Sequence, residues 1–205
     1  MCIGIDFDNT IAVYDHVFLA AAKQWQLLPE NFHGGKKQLR DAIRTRPNGE
    51  LHWQRLQGYV YGKQIQQAQL FPGVSEFLLQ CKLHQTPVFI ISHKTEVAQF
   101  DEDHTNLRDA ATAWMSAKGF FETSGFAIKP GNVFFHDTRK EKLARVKEIG
   151  CEVFIDDLVE IFLDPDFPPK VRKILFDPAR SAPDNVIFQV FNAWHDIRND
   201  MFHGR

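Results

Sequence analysis

Residues 2–10 read Cys2-Ile3-Gly4-Ile5-Asp6-Phe7-Asp8-Asn9-Thr10. An apolar run leads directly into two carboxylates spaced two residues apart. Such a run reads as a buried strand, which puts Asp6 and Asp8 at its carboxyl end, the edge of an open α/β sheet where ligands bind. Side chains at i and i+2 of an extended segment point the same way, so the two carboxylates converge. They repel each other unless a cation or a shared proton relieves them. The stretch points to a metal-assisted site. The competing reading is a solvated Asp-Asn turn, which these side chains favour by bonding nearby backbone. The choice depends on what the rest of the chain supplies.

Four further apolar runs read as strands: Val88-Phe89-Ile90-Ile91, Val133-Phe134-Phe135, Val153-Phe154-Ile155 and Ile174-Leu175-Phe176. Continuous β-branched and aromatic runs fit strands buried on both faces of a parallel sheet. Helical patterns separate them. One opens near Pro72-Gly73 with Val74, Phe77, Leu78 and Cys81 on a stripe. Another runs from about Asn106 to Lys118 and stops at Gly119. A third begins near Thr138, turns Leu143, Val146 and Ile149 inward, and stops at Gly150. The tail from about Asn185 to Met201 places Ile187, Val190, Phe191, Trp194 and Ile197 at helical spacing and predicts a closing helix.

Between the first two strands lies an insertion too long for a simple crossover. Val17, Phe18, Ala21 and Trp25 form one helical stripe there, and Leu39 and Ile43 belong to another. The polar stretch Arg44-Thr45-Arg46-Pro47-Asn48-Gly49 interrupts it as a loop. The expected organisation is an α/β, Rossmann-like three-layer core with a parallel sheet over residues 1–12 and 72–205, and a small helical cap over residues 13–71.

Composition bounds the function. The 205 residues suit one such core with a modest insertion, and 44% hydrophobic with 24% charged residues is ordinary for a globular chain. The 19 Phe residues predict a bulky aromatic core. A net charge of −2 offers no broad basic field to hold a nucleic-acid polymer by counterion release, though a nucleotide substrate stays open. Cys2, Cys81 and Cys151 form no CxxC pair, and such usage fits a reducing compartment. With the first strand predicted to start at residue 2, no signal peptide is expected, and no apolar stretch approaches a membrane span. The expected location is cytoplasmic.

The later strands supply the partners the first motif needs. Ile90-Ile91 runs into Ser92-His93-Lys94-Thr95, and a hydroxyl beside free backbone amides at a strand end suits one oxygen of a phosphate. Arg139, Lys140 and Lys142 crowd the start of the third helix. Cations oppose the helix dipole there, so at least one should face an anionic ligand; a solvated basic face is the alternative. Val153-Phe154-Ile155 ends in Asp156-Asp157, adding two carboxylates. Together these are the hard oxygen ligands that Mg²⁺ prefers.

With these pieces in this order, the chain resembles the phosphatase branch of the haloacid dehalogenase (HAD) superfamily. Asp6-Phe7-Asp8-Asn9-Thr10 matches its DxDxT motif, Ser92 its second motif, a basic residue at a helix start its third, and Asp156-Asp157 its acidic fourth. The insertion resembles that family's cap, and Phe71-Pro72-Gly73-Val74 the point of re-entry to the core. The resemblance implies Asp6 as the nucleophile that becomes an aspartyl phosphate, with Asp8 as general acid and base. It implies Mg²⁺ on Asp6, the Asp8 backbone carbonyl and Asp156, with Asp157 in support. Ser92 and a lysine would bind phosphate oxygens. Lys140 is the first choice, since the first helical turn aims at the strand ends; Lys142 is the runner-up and Lys94 a possible substitute. Dehalogenases lack an acid two residues after the nucleophile, so Asp8 favours phosphoryl transfer.

The expected activity is a Mg²⁺-dependent phosphomonoesterase acting on a small soluble phosphometabolite. A 5′-nucleotidase-type deoxyribonucleotidase is an alternative, and a HAD-fold binding protein with little turnover is the non-enzymatic one. Specificity should lie in the insertion, with Arg44, Arg46, His52, Trp53 and Tyr61 offering phosphate forks and a stacking face. His16 could reach the site from a flap, while His93 and His136 sit near strand ends as cleft-lining groups.

Overall fold

Strand β1 (Ile3–Ile5) is a fully buried three-residue segment. Only an element flanked on both edges and both faces can be that dry. In the computed structural model, residues 1–98, 100–101 and 103–203 are described. Strands β4 (Val88–His93) and β6 (Val153–Asp156) pair with β1 on either side, in parallel. Beyond them lie β5 (Val133–His136), β7 (Arg172–Phe176) and β8 (Gln189–Phe191), giving a six-stranded parallel sheet in the order β5-β4-β1-β6-β7-β8. Register brings the functional ends level: Ile5 stands beside both Ile90 and Ile155, so Asp6, Ser92 and Asp156 emerge at one edge.

Helices cover both faces of this sheet. On one side Leu143 and Val146 of α6 (Arg139–Ile149) and Ile161 and Phe162 of α7 (Val159–Leu163) bury against Phe154 and Leu175. On the other, Trp194 of α8 (Trp194–Phe202) packs on Phe77 of α4 (Val74–Leu83) and on Phe176. Alternation along β7 separates the layers, since Leu175 and Phe176 face opposite sides. A Cβ on Gly4 would come within 2.7 Å of the Phe154 ring and 3.0 Å of the Cys151 sulfur, so the central strand admits only glycine there. Thr138 caps α6 in a reciprocal capping box with Glu141, and Gly150 ends it in the left-handed conformation.

The chain divides into two compact units, residues 1–12, 70–94 and 118–205, and residues 13–69 with 95–117. The second is helical: α1 (Asp15–Gln24), α2 (Lys36–Arg44), α3 (Gly49–Tyr61) and α5 (Leu107–Ala117). Phe18 stacks on Trp53 at 5.2 Å in its core. Residues 95–117, which the sequence division assigned to the core, gather here because the α5 side chain Trp114 is buried and its indole N–H donates to the Ala68 carbonyl at 3.0 Å. The short strands β2 (Ala12–Val13) and β3 (Gln69–Leu70) form a separate two-stranded sheet.

The tail corrects the sequence reading. Its first half is β8, with Ile187 before it 91% exposed, and the helix starts only at Trp194. Val190 and Phe191 are good strand formers, and the open edge of β7 offers them backbone partners that a helix could not use. Among the described residues, no helix is long and apolar enough to cross a membrane.

Candidate active site

Asp6 follows β1 directly, and its backbone N–H donates to the Ile155 carbonyl at 2.9 Å, which locks the aspartate to β6. Its Oδ1 accepts two hydrogen bonds, from the Ser92 hydroxyl at 2.9 Å and from the Lys142 ammonium at 2.6 Å. Lys142 also donates to Asp156 Oδ2 at 2.6 Å, while Asp156 Oδ1 accepts from the Leu158 N–H at 2.9 Å. Lys142 is 1% and Asp156 0% exposed, so these are desolvated charges held by one another. Asp6 Oδ2 takes no protein donor among the described residues. That leaves one carboxylate oxygen of Asp6 for an external electrophile or cation.

Asp8 stands beside this cluster and pairs with a second buried lysine, Lys94, through Oδ2 at 2.8 Å. The Lys94 backbone N–H donates to the His136 carbonyl at 2.9 Å, which carries β4's hydrogen bonding to β5 past the last strand residue. Asn9 adopts φ 62°, a left-handed turn that Asn tolerates better than most residues. Thr10 is fully buried, its hydroxyl 3.4 Å from Asp157 Oδ1 and its carbonyl accepting from the Trp194 indole at 3.0 Å.

Oxygens of Asp6, Asp156 and Asp157 lie within 4.8 Å of one another. Three convergent carboxylates with one tightly bound ammonium retain excess negative charge, and an all-oxygen donor set is what Mg²⁺ takes. The residues therefore fit the ion. Burial pushes the Asp6 carboxyl up and Lys142 pulls it down, while Asp156 pushes it up again, for a net rise to about 6. Burial works against the Lys142 ammonium, but Asp156 and Asp6 outweigh it and hold it charged above the ordinary lysine range.

These shifts give a first prediction. A carboxylate must lose its proton to bind a cation. Because the folded value of Asp6 lies near 6 rather than 3.8, Mg²⁺ affinity should hold above that pH and fall by up to about tenfold per unit below it. Calorimetric titration of Mg²⁺ between pH 7.5 and 5 reads the change, and a flat affinity down to pH 5 would contradict it.

One expected site residue is misplaced. Lys140 is exposed on α6, and the lysine among the carboxylates is Lys142. The stripe that buries Val146 and Ile149 includes position 142, four and seven residues earlier, and excludes 140. Lys94, the third candidate, serves Asp8.

The specificity candidates all belong to the helical unit. Arg44 pairs with Glu50, 2.6 Å away, on its surface. Arg46 donates to the carbonyls of Gln26 and Leu27. Trp53 is core, and Tyr61 accepts from Lys36 while packing edge-on against Phe18. These contacts account for the four side chains within that unit. His52 lines a cavity of about 380 Å³ with Trp25, Arg55 and Tyr59. His16 is exposed and its ring bonds the Gln67 carbonyl at 2.9 Å; His93 bonds the Asp137 carbonyl at 2.8 Å. Sequence reasoning did not anticipate Lys94 as the partner of Asp8.

No protein-family model matches the sequence, and no curated protein does either. Solved structures do. A HAD-hydrolase of Bacillus subtilis bound to magnesium superposes with a TM-score of 0.60 at 11% identity, covering 98% of both chains. A predicted phosphoglycolate phosphatase from Haemophilus somnus gives 0.53 at 13%, covering 98% of this chain and 97% of its own. An L-2-haloacid dehalogenase gives 0.58 at 11%, covering 97% and 96%. Likeness at such identities establishes the fold, which is HAD-like. It leaves the chemistry to the residues.

Proposed function

We propose that this chain is a Mg²⁺-dependent phosphomonoester hydrolase that works through an aspartyl phosphate on Asp6 and acts on a small soluble phosphometabolite. The observation that carries the reading is the division of the Asp6 carboxylate. Ser92 and Lys142 hold Oδ1, while Oδ2 takes no protein donor among the described residues. A nucleophile fixed through one oxygen and open at the other is oriented before substrate arrives, the condition under which positioning contributes most.

Each residue then has a task. Asp6 attacks phosphorus; its O–P bond forms as the ester P–O bond breaks, and Asp8 gives its proton to the departing oxygen. In the second half, water's oxygen bonds to phosphorus, the Asp6–phosphorus bond breaks, and the water proton returns to Asp8. Splitting one displacement into two lowers each barrier. Lys142 and Ser92 stand where they can also meet phosphoryl oxygens, on which charge spreads in the transition state. Asp6, Asp156 and Asp157 would hold Mg²⁺, which supplies Lewis-acid neutralisation of the phosphate charge.

Asp8 separates this reading from a dehalogenase. Departing halide needs no proton, whereas an alkoxide does, so a second carboxylate beside the nucleophile serves phosphate esters. A phosphate-release screen over nucleotides, sugar phosphates and phosphorylated small acids tests the proposal. It should find at least one ester cleaved with Mg²⁺, and EDTA should stop the reaction. Release from none of them, or halide release from a 2-haloacid, would overturn it.

A further inference from the structure

The buried charges fall into two groups. Lys142 binds Asp6 and Asp156, and the second lysine, Lys94, binds Asp8 with its side chain only 2% exposed. Burying an ammonium costs several kcal/mol unless a partner compensates it, so the Lys94–Asp8 contact holds both side chains in one arrangement. The ammonium also lies 5.7 Å from the centroid of Phe7, the buried residue between the two aspartates. The carboxylate, at 16%, is the more exposed partner of the pair. Lys94 is thus about as buried as Lys142, and its ammonium holds the Asp8 carboxylate as that of Lys142 holds the Asp6 carboxylate.

We infer that Lys94 is a positioning residue for Asp8: by binding Oδ2 it fixes the rotamer in which the carboxylate exchanges protons with the leaving oxygen and with water. This rests on the phosphatase reading and adds to it a residue whose effect depends on the leaving group. It also accounts for a second buried cation in a site whose nucleophile already has one.

The test compares two esters with the Mg²⁺-loaded protein. An alkyl phosphate requires its leaving oxygen to be protonated, whereas p-nitrophenyl phosphate departs as a stabilised phenolate. General acid help is worth roughly 10²–10⁴ in rate. Lys94→Met should therefore lower kcat/KM for the alkyl ester about 10²-fold and for the aryl ester less than about tenfold, and Lys94→Gln should give the same inequality. In an Asp8→Asn background, Lys94→Met should change the alkyl-to-aryl ratio no further. Thermal unfolding of the metal-free protein reads the contact without turnover, and shifts for Lys94→Met and Asp8→Asn should be non-additive. Equal losses for both esters would make Lys94 a charge-balancing group and overturn the inference, as would additive unfolding shifts, with the phosphatase reading intact in either case. If neither variant folds, the pair is structural and the inference falls. A wild-type chain that cleaves neither ester overturns the phosphatase reading, and the proton-transfer role of the pair falls with it.

Discussion

Asp6→Asn is expected to reduce Mg²⁺-dependent phosphate release by at least about four orders of magnitude, the scale on which loss of a catalytic nucleophile acts. An amide nitrogen or oxygen in that position forms no stable phosphoryl ester, so neither half-reaction can proceed by the covalent route. The fold should survive. The asparagine oxygen still accepts from Ser92 and Lys142, and the substitution removes a carboxylate whose burial raises its pKa to about 6. Lys142 keeps Asp156 as its counter-ion. The thermal unfolding midpoint of the metal-free variant should accordingly match or exceed that of the parent, while turnover vanishes. Substantial turnover by the variant would remove Asp6 from the mechanism.

Lys142→Met carries the second large effect, and it acts on stability and turnover together. Removing the ammonium leaves Asp6 and Asp156 buried against one another without the cation that both contact at 2.6 Å. Breaking a buried ion pair on one side costs about 3–5 kcal/mol, and here one lysine serves two partners. The metal-free variant should unfold well below the parent. Added Mg²⁺ should recover part of that loss, because the ion takes over the neutralisation of the same carboxylates. Phosphate release should fall about 10²–10³-fold, the scale on which loss of one positioned donor at a developing oxyanion acts. Lys140→Met is the matched control: its side chain is exposed, so stability should move by no more than about 0.5 kcal/mol. Unfolding monitored by circular dichroism, with and without Mg²⁺, separates the two lysines. Equal effects at 140 and 142 would contradict the arrangement.

That pair of lysines also shows where the sequence is readable. Asp6, Asp8, Ser92, Asp156 and Asp157 are each attached to the end of an apolar strand, and parallel pairing forces such ends to one edge. Local spacing therefore carries long-range information for them. A helical lysine lacks that constraint, because its direction depends on which face the helix buries. Leu143, Val146 and Ile149 mark that face, and position 142, one turn before Val146 and two before Ile149, lies on it. Proximity to the helix start, which favours Lys140, is the weaker guide.

The remaining differences have similar causes. Val190 and Phe191 fit a helical spacing and a strand composition equally well, and the free edge of β7 decides between them. Residues 95–117 join the helical unit through Trp114, whose partner Ala68 is distant in sequence. Lys94 sits in a polar tetrapeptide, where its burial against Asp8 follows from the β4–β1 pairing and leaves no periodic trace. Trp53 offers a stacking face on sequence grounds, yet aromatic residues on a small helical unit are needed first for its own core, and Phe18 takes it.

The central claim is that Asp6 carries the phosphoryl group in transit. Acid quenching during steady turnover of a cleaved phosphomonoester, followed by proteolysis and mass spectrometry, tests it most directly. The expected result is a phosphoryl group on the Asp6 carboxylate that is labile to hydroxylamine and missing from Asp6→Asn. Sustained phosphate release with no phosphoryl group on Asp6 at any quench time would contradict the mechanism.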